Sequence, residues 1–265
     1  MEKLPAKNGW LWVKEGVALF RKQPAEVSTL FLSYMFLMLA LGIIPVIGQL
    51  LPLILVPVFA MSFMQACRHI EEGKRVYPNL LLVGFRSPAL RRLLTLGVLY
   101  LLAAFGAVAV STLADGGTFW NAMTGTGLDA KDIEGSSISL AMVVAALVYI
   151  PAAMAFWFAA PLIAWHEMPL GKALFYSFFA VRRAGKAFLL YGLAWLVIGI
   201  LLPAAVSTMV ALLINNVTVI VFILLPLSII LTVVMYCSFY PTYTAIFGRP
   251  QREEAPVPES NDSAR

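Results

Sequence analysis

Charged residues are scarce in this sequence. Only 12% of its 265 residues are Asp, Glu, Lys or Arg, whereas about a quarter are charged in a typical soluble domain. Only 14 residues are acidic, while 61% are hydrophobic, so the polar side chains cannot cover the surface of a soluble globule. This composition excludes an ordinary soluble protein and predicts an integral membrane protein.

Cysteine and histidine are almost absent, with two residues of each. A tetrahedral zinc site needs three or four ligands, and His69 and His166 lie at predicted span ends beside charged neighbours. The sequence has no zinc-protease motif, phosphate loop or dinucleotide fingerprint. Cys67 and Cys237 lie near predicted inner ends of spans, where a disulfide is not expected. We therefore predict no catalytic residue, no metal, no cofactor and no enzymatic activity.

Four stretches contain no charged residue, and a transmembrane helix needs about 20 apolar residues. They cover 27–67, 93–114, 135–165 and 187–248. The first and the last are long enough for two spans each, separated by turn-forming residues at 45–49 and 215–216. The sequence thus predicts six transmembrane helices, at about 27–46, 49–68, 91–113, 138–164, 188–213 and 218–240.

The distribution of basic residues predicts the orientation, because Lys and Arg near span ends are retained in the cytoplasm. The N-terminal segment, the loop after span 2, the loop after span 4 and the tail hold 18 of the 19 basic residues. Only Lys131 falls on the opposite side. Both termini are therefore predicted to be cytoplasmic, with an N-terminal segment at 1–26, a transmembrane domain at 27–248 and a disordered tail at 249–265.

An amphipathic helix is predicted at 7–22. Trp10, Val13, Val17 and Phe20 recur at helical spacing, and the basic side chains lie away from this stripe, which is typical of a helix lying in the membrane interface. The alternative is a helix that packs beneath the bundle. Aromatic residues near predicted span ends are candidate interfacial anchors: Trp10, Trp12, Phe20, Phe119, Trp120 and Trp165.

Similar basic segments precede spans 1, 3 and 5. They lie at Arg21-Lys22, Arg86 and Arg182-Arg183, and each follows an amphipathic or apolar stretch. We predict an all-α membrane protein of three transmembrane hairpins, each preceded by an interfacial or amphipathic helix, with a threefold pseudo-repeat. The alternative is that any hairpin protein with this orientation carries basic residues before its odd-numbered spans.

The opening of the chain, LPAKNGWLWVKEG at 4–16 and ALFRKQP at 18–24, resembles a family of uncharacterised six-span inner-membrane proteins of Gram-negative bacteria. The resemblance covers about residues 4 to 248. It implies a bacterial inner-membrane location and a multi-pass fold. It brings no established activity and no functional residues.

Basic pairs on the predicted cytoplasmic face supply the first functional hypothesis, because juxtamembrane Lys and Arg are attracted to anionic lipids. The protein would then be a membrane scaffold or accessory protein that binds lipid or another membrane protein. Nucleic acid is not an expected partner, since the basic residues border spans. The alternative is that these residues only set the topology. The candidates are Arg21, Lys22, Arg91, Arg92, Arg182 and Arg183.

Proline residues inside the predicted spans supply the second hypothesis. The spans carry no Asp, Glu or His at depth to couple ions, but broken helices can expose backbone carbonyls to a solute. The protein would then be a permease or exporter for an apolar or weakly polar solute. The alternative is a set of packed kinks. The candidate breaks are Pro52, Pro57, Pro151, Pro161, Pro203 and Pro226.

Overall fold

The computed structural model describes residues 4–45, 47–124, 137–214 and 216–250. Within these ranges, six helical segments are long and apolar enough to cross a membrane. Span 1 is α2 (Pro24–Gly42), span 2 is α3 (Ile47–Glu71), span 3 is α5 (Leu90–Asp115), span 4 is α7 (Ile138–Phe156) with α8 (Ala159–Trp165), span 5 is α10 (Gly185–Leu196), a π-helical segment (Val197–Leu201) and α11 (Leu202–Ile214), and span 6 is α12 (Val217–Phe247).

Shorter helices lie outside the spans. They are α1 (Lys7–Lys22), a 3₁₀ segment (Pro78–Leu82) followed by α4 (Val83–Arg86), α6 (Thr118–Thr124) and α9 (Leu170–Arg183). This architecture confirms the predicted all-α membrane protein with six spans. Lys131 and the part of the predicted tail from residue 251 onwards lie outside the described residues.

The ends of the spans follow the local chemistry. Span 1 begins with Pro24, whose missing N–H costs nothing in the first turn of a helix. Asn216 caps span 6, because its side chain accepts a hydrogen bond from the backbone N–H of Thr218 at 2.9 Å. Span 6 continues to Phe247, beyond the predicted end at 240. Pro241 lies inside the helix and does not end it.

Each pair of spans contacts a segment that lies outside the membrane-crossing helices. Helix α1 packs against α12 and α10, the segment 78–86 packs against α3, and α9 packs against α7. Each of these segments also leads directly into an odd-numbered span. The arrangement is the one expected from three related hairpins, and the threefold pseudo-repeat itself stays a prediction.

Helix α1 buries a face that is shifted from the predicted apolar stripe. Its buried residues are Gly9, Trp12, Val13, Gly16 and Leu19. The two glycines allow α1 to approach spans 5 and 6 closely. A Cβ atom at Gly9 would clash with the Ala187 carbonyl, and one at Gly16 would lie 2.6 Å from the Ser238 Cβ. The alternative of a helix packed beneath the bundle therefore describes α1 better than a purely interfacial helix.

Hydrogen bonds and an ion pair join the segments at one end of the bundle. The Gln23 amide donates to the Lys74 carbonyl at 2.7 Å, Arg92 donates to the Glu167 carbonyl at 2.7 Å, and Arg249 pairs with Glu71 at 2.9 Å. The Lys and Arg residues of the described ranges all lie in the segments at this end. We call it the basic end, and we call the opposite end, where span 1 is followed by span 2 and span 5 by span 6, the loop end.

Candidate functional site

A cavity of about 280 Å³ lies between the spans. Spans 1, 2, 3, 4 and 6 contribute to its wall, and no lining residue is an Asp, Glu, Lys, Arg or His. Ten of the sixteen lining residues are aromatic. The lining consists of Tyr34, Val56, Phe59, Ala60, Phe63, Met64, Tyr100, Tyr149, Ala153, Phe156, Trp157, Phe158, Ala160, Pro161, Tyr236 and Phe239.

Two tyrosines of the cavity lie at similar positions along their spans. Tyr34 and Tyr100 each follow the first residue of their span, Pro24 and Leu90, by about ten residues, which is about 15 Å along a helix. The hydrocarbon core of a bilayer is about 30 Å thick. Tyr34 and Tyr100 therefore lie about half a hydrocarbon thickness from the starts of their spans.

Aromatic rings from three spans form one wall. The Tyr34 ring centroid lies 5.1 Å from that of Phe59 and 5.5 Å from that of Phe63. The Phe63 and Tyr236 centroids are 4.6 Å apart. These distances are those of favourable aromatic pairs, so spans 1, 2 and 6 hold this wall by ring packing.

A helix break in span 4 forms the opposite wall. Helix α7 ends at Phe156 and α8 begins at Ala159, two residues before Pro161. Neighbouring elements bond the backbone at the break: the Tyr100 hydroxyl donates to the Phe156 carbonyl at 3.0 Å, and the Phe158 N–H donates to the Ser177 hydroxyl at 2.9 Å. A break in lipid is tolerated when neighbours satisfy the backbone in this way.

Ser177 links α9 to this break. Its side chain is completely buried, and its hydroxyl also donates to the Met154 carbonyl at 2.9 Å. The Ser177 hydroxyl thus accepts a hydrogen bond from one backbone group of span 4 and donates a hydrogen bond to another. Helix α9 therefore fixes the geometry of the helix break that lines the cavity.

Trp157 projects from the break and remains 36% exposed. Its indole N–H donates to the Thr242 hydroxyl at 3.3 Å, and its ring lies 5.2 Å from the Phe239 ring. It also contacts Phe188 of span 5, with centroids 5.3 Å apart. Trp157 therefore joins spans 4, 5 and 6 at the edge of the cavity.

Polar contacts close the bundle between the cavity and the basic end. The Tyr240 hydroxyl donates to the Glu71 carboxylate at 2.7 Å, and Glu71 also pairs with Arg249. His166 and the Tyr243 hydroxyl are hydrogen-bonded at 2.7 Å. Tyr240 and Tyr243 are buried. These contacts tie spans 2 and 4 to span 6.

Two carboxyl groups outside the spans have shifted pKa values at this end. Hydrogen bonds from Lys74 and then Arg68 lower the pKa of Glu72 below its usual 4.5, against a smaller opposing effect of burial. Partial desolvation of the Glu15 carboxyl, followed by the nearby Glu71 charge, raises the pKa of Glu15, although much of its side chain stays exposed. The charge of Glu72 therefore depends on Lys74 and Arg68, and the charge of Glu15 depends on Glu71, which also contacts Tyr240 and Arg249.

The predicted lipid-binding residues do not share one environment. Arg21, Lys22, Arg91, Arg182 and Arg183 are exposed. Arg92 is only partly exposed, since its guanidinium donates to the backbone carbonyls of Glu167 at 2.7 Å and Met168 at 3.2 Å. Arg92 therefore joins span 3 to the loop after span 4.

The predicted interfacial anchors also differ. Trp10 is 46% exposed, whereas Trp12 is 1% exposed and packs on Phe188 and Tyr191, with centroids 5.1 and 6.0 Å away. The burial of Trp12 corrects its predicted place in the headgroup region, because the buried face of α1 includes it. Phe20, Phe119, Trp120 and Trp165 are partly exposed.

The predicted helix breaks are distributed unevenly. Of the six prolines, Pro161 follows the break in span 4 and Pro203 follows the π-helical segment of span 5. The helices continue through the other four prolines, which transmembrane helices tolerate because neighbouring groups bond the freed carbonyls. These four prolines are Pro52, Pro57, Pro151 and Pro226.

The sequence interpretation missed the tyrosines of the cavity and Ser177. The aromatic side chains add to the hydrophobic signal of a span, so they do not stand out in a hydropathy profile. A signal was available in the similar positions of Tyr34 and Tyr100 after the starts of spans 1 and 3. No sequence signal marks Ser177, because the partners of its hydroxyl are backbone atoms of span 4.

The fold defines a multi-pass α-helical membrane protein with an aromatic cavity between its spans. Comparison with known proteins agrees with this class: the chain is 39% identical, over 98% of its own length and 98% of the relative, to a probable inner membrane protein of Burkholderia thailandensis. The chain belongs to the family of that inner membrane protein. No protein-family model and no solved structure matches the chain.

Proposed function

We propose that this protein is a permease or exporter that binds an apolar or weakly polar small molecule in the aromatic cavity. The observation that supports this function is the cavity itself, which is lined by aromatic and aliphatic side chains of five spans.

The cavity limits the size and the chemistry of the molecule. Its volume of about 280 Å³ is nearly twice that of an engineered cavity of about 150 Å³ that binds benzene. A bicyclic aromatic molecule such as indole or naphthalene is therefore of suitable size. Tyr34, Tyr149 and Tyr236 offer hydroxyl groups for one or two polar atoms.

We propose that the protein performs no covalent chemistry. The lining lacks a carboxylate, an imidazole or a thiol that would act as a base or a nucleophile. Tyrosine ionises near pH 10 and is neutral in the physiological range. The binding of the molecule would therefore rest on the hydrophobic effect and on ring packing.

We place the protein in the bacterial inner membrane with its basic end and both termini in the cytoplasm, because basic residues near spans are retained there. In this orientation the contacts of Glu71, Tyr240 and Arg249 close the bundle on the cytoplasmic side. The cavity would then communicate with the loop end or with the lipid.

A membrane scaffold or accessory protein is the second candidate function. The exposure of Arg21, Lys22, Arg91, Arg182 and Arg183 favours it, since exposed basic residues at a membrane surface attract anionic phospholipids or an acidic partner protein. The two functions are compatible, because the cavity and these residues lie in different parts of the molecule.

Cysteine labelling tests whether the cavity is accessible. In a variant with Cys67→Ala and Cys237→Ala, single cysteines at Ala60 and Ala153 would line the cavity. Leu147→Cys is the control, because Leu147 lies on the same helix as Ala153 and is 62% exposed on the outer surface. A thiolate-selective reagent needs water at its target.

We expect a small methanethiosulfonate reagent to label the cavity positions at least about tenfold faster than Leu147→Cys, since lipid protects the control from thiolate formation. Indole or naphthalene should slow the labelling of the cavity positions. Equal and slow labelling at all three positions would contradict a permease, because no aqueous path would reach the cavity.

A further inference from the structure

Helix α9 presents an aromatic and basic face that no neighbouring helix covers. Phe175 is 61% exposed, Tyr176 41% and Phe179 39%, and Lys172 and Arg183 are exposed on the same side. These five positions recur at intervals of three and four residues, so they form one stripe. A shallow groove of about 340 Å³ follows this stripe between Phe175 and Arg183.

The opposite face of α9 is already used. Ala173, Ser177 and Ala180 are buried there, and Ser177 bonds the break in span 4. The exposed face is therefore not required to hold the helix on the bundle. Its large side chains also contact one another: the Phe175 and Phe179 ring centroids are 4.5 Å apart.

The charges of this face have one sign. Residues 170–183 include no acidic residue, and the ion pairs found between described residues do not include Lys172, Arg182 or Arg183. The Lys172 ammonium lies 5.8 Å from the centre of the Tyr176 ring, a cation–π contact. The face thus combines free positive charge with exposed aromatic rings.

The positions of the charges determine how α9 lies. Lys172 and Arg183 are eleven residues apart, which is about 16 Å along a helix. A helix that pointed into the bilayer would bury one of these charges. With α9 in the plane of the membrane, both charges reach the phosphate layer and the rings between them reach the acyl chains.

We propose that the stripe of Lys172, Phe175, Tyr176, Phe179 and Arg183 binds the headgroup and upper acyl chain of an anionic phospholipid. This inference rests on the second candidate function, from which it takes the class of ligand, and it assigns the binding to one helix. Helix α1 also pairs a cation with a ring, Lys14 with Trp10 at 5.9 Å. It fits an anion less well because Glu15 is exposed beside Lys14.

Native mass spectrometry of the full-length protein tests the assignment. The protein is purified in mild detergent, and phosphatidylglycerol or phosphatidylethanolamine is added at equal concentration. The variant is Lys172→Gln with Arg183→Gln. The matched control is Lys7→Gln with Lys14→Gln, which removes the same charge from exposed positions of α1.

We expect the α9 variant to retain phosphatidylglycerol at least about fivefold less than the unmodified protein, and the α1 control to change it less than about twofold. Phosphatidylethanolamine should respond weakly in both. A loss confined to the α1 control, or equal losses, would overturn the α9 assignment while leaving a lipid-binding scaffold intact. Equal binding of both lipids by all three proteins would overturn the α9 assignment and the lipid-binding scaffold together.

A second measurement does not depend on lipid affinity. A spin label at Phe175 in bilayers containing phosphatidylglycerol should be accessible to oxygen and protected from a water-soluble nickel reagent. A label fully accessible to the nickel reagent would place the face in water. Such a face would suit a protein partner instead, and the proposal would be overturned.

Discussion

The two halves of the bundle are packed very differently although both are apolar. In span 6, the buried residues lie between Val233 and Tyr243, and none lies in the preceding part of the helix from Val217. Phe222 in that part is 76% exposed. We call the half at the basic end the packed half and the half at the loop end the open half.

Close packing between the spans depends on small and polar residues more than on hydrophobicity. A Cβ atom at Gly97 would clash with the Ile54 carbonyl, but one at Gly106 or Gly199 would meet nothing within 4 Å. In a bilayer, lipid is as apolar as leucine, so helices associate through close backbone approach and hydrogen bonds. The exposed apolar side chains of the open half, such as Phe222, are therefore a surface for lipid, whereas spans 3 and 4 still bury Ser111 and Ala141 there.

The largest effect is expected from filling a helix crossing in the packed half. Gly97→Leu should prevent the recovery of folded, monodisperse protein, because the side chain would displace the backbone of span 2 at Ile54. Gly106→Leu on the same helix is the control and should behave as the unmodified protein. Size-exclusion chromatography of the two variants measures how much monodisperse protein is recovered. Equal elution profiles would contradict a difference in packing between the positions of Gly97 and Gly106.

The next effect compares two tryptophans of α1. Trp12→Ala should lower the free energy of unfolding by about 3–5 kcal/mol, because it leaves a cavity against Phe188 and Tyr191. Trp10→Ala, at a position 46% exposed, should cost less than about 1 kcal/mol. Unfolding in mixed micelles measures both. A larger loss for Trp10 would show that α1 binds the bundle by its other face.

Removing the hydroxyl of Ser177 should have a smaller effect. Ser177→Ala leaves the Phe158 N–H without its partner, and one unsatisfied buried group costs about 1–3 kcal/mol. Because the break lines the cavity, indole binding should weaken as well. Ser228→Ala, at an exposed position of the open half, is the control. Unchanged stability in both variants would mean that α9 does not support the break.

The smallest effect concerns pH. The lowered pKa of Glu72 means that its ionised form stabilises the fold above the usual pKa of 4.5. This contribution is lost as the pH falls through the lower folded value. Glu72→Gln should remove a contribution to the free energy of unfolding that is present above pH 4.5 and is lost at lower pH. The contribution is less than about 1 kcal/mol because the group is near the surface, and melting temperatures over a pH series measure it. A pH profile identical to that of the unmodified protein would contradict this pairing.

The spans could be predicted from the sequence because the missing charges mark them directly. Span 4 was expected at 138–164 and is observed at Ile138–Trp165. The buried face of α1 was displaced in the prediction, because Gly9 and Gly16 score as weakly hydrophobic although they allow the closest packing. The cavity could not be predicted, since it depends on how Tyr34, Tyr100 and Tyr236 from three spans converge.

Equilibrium binding of tritiated indole to the protein in nanodiscs tests the proposed function most directly. Ala153→Trp fills the cavity from a position in its wall, and Leu147→Trp adds the same side chain to the outer surface. We predict saturable binding to the unmodified protein and to Leu147→Trp, and a loss of at least about tenfold in Ala153→Trp at an unchanged melting temperature. Equal binding by all three proteins would contradict the assignment of the cavity as the binding site.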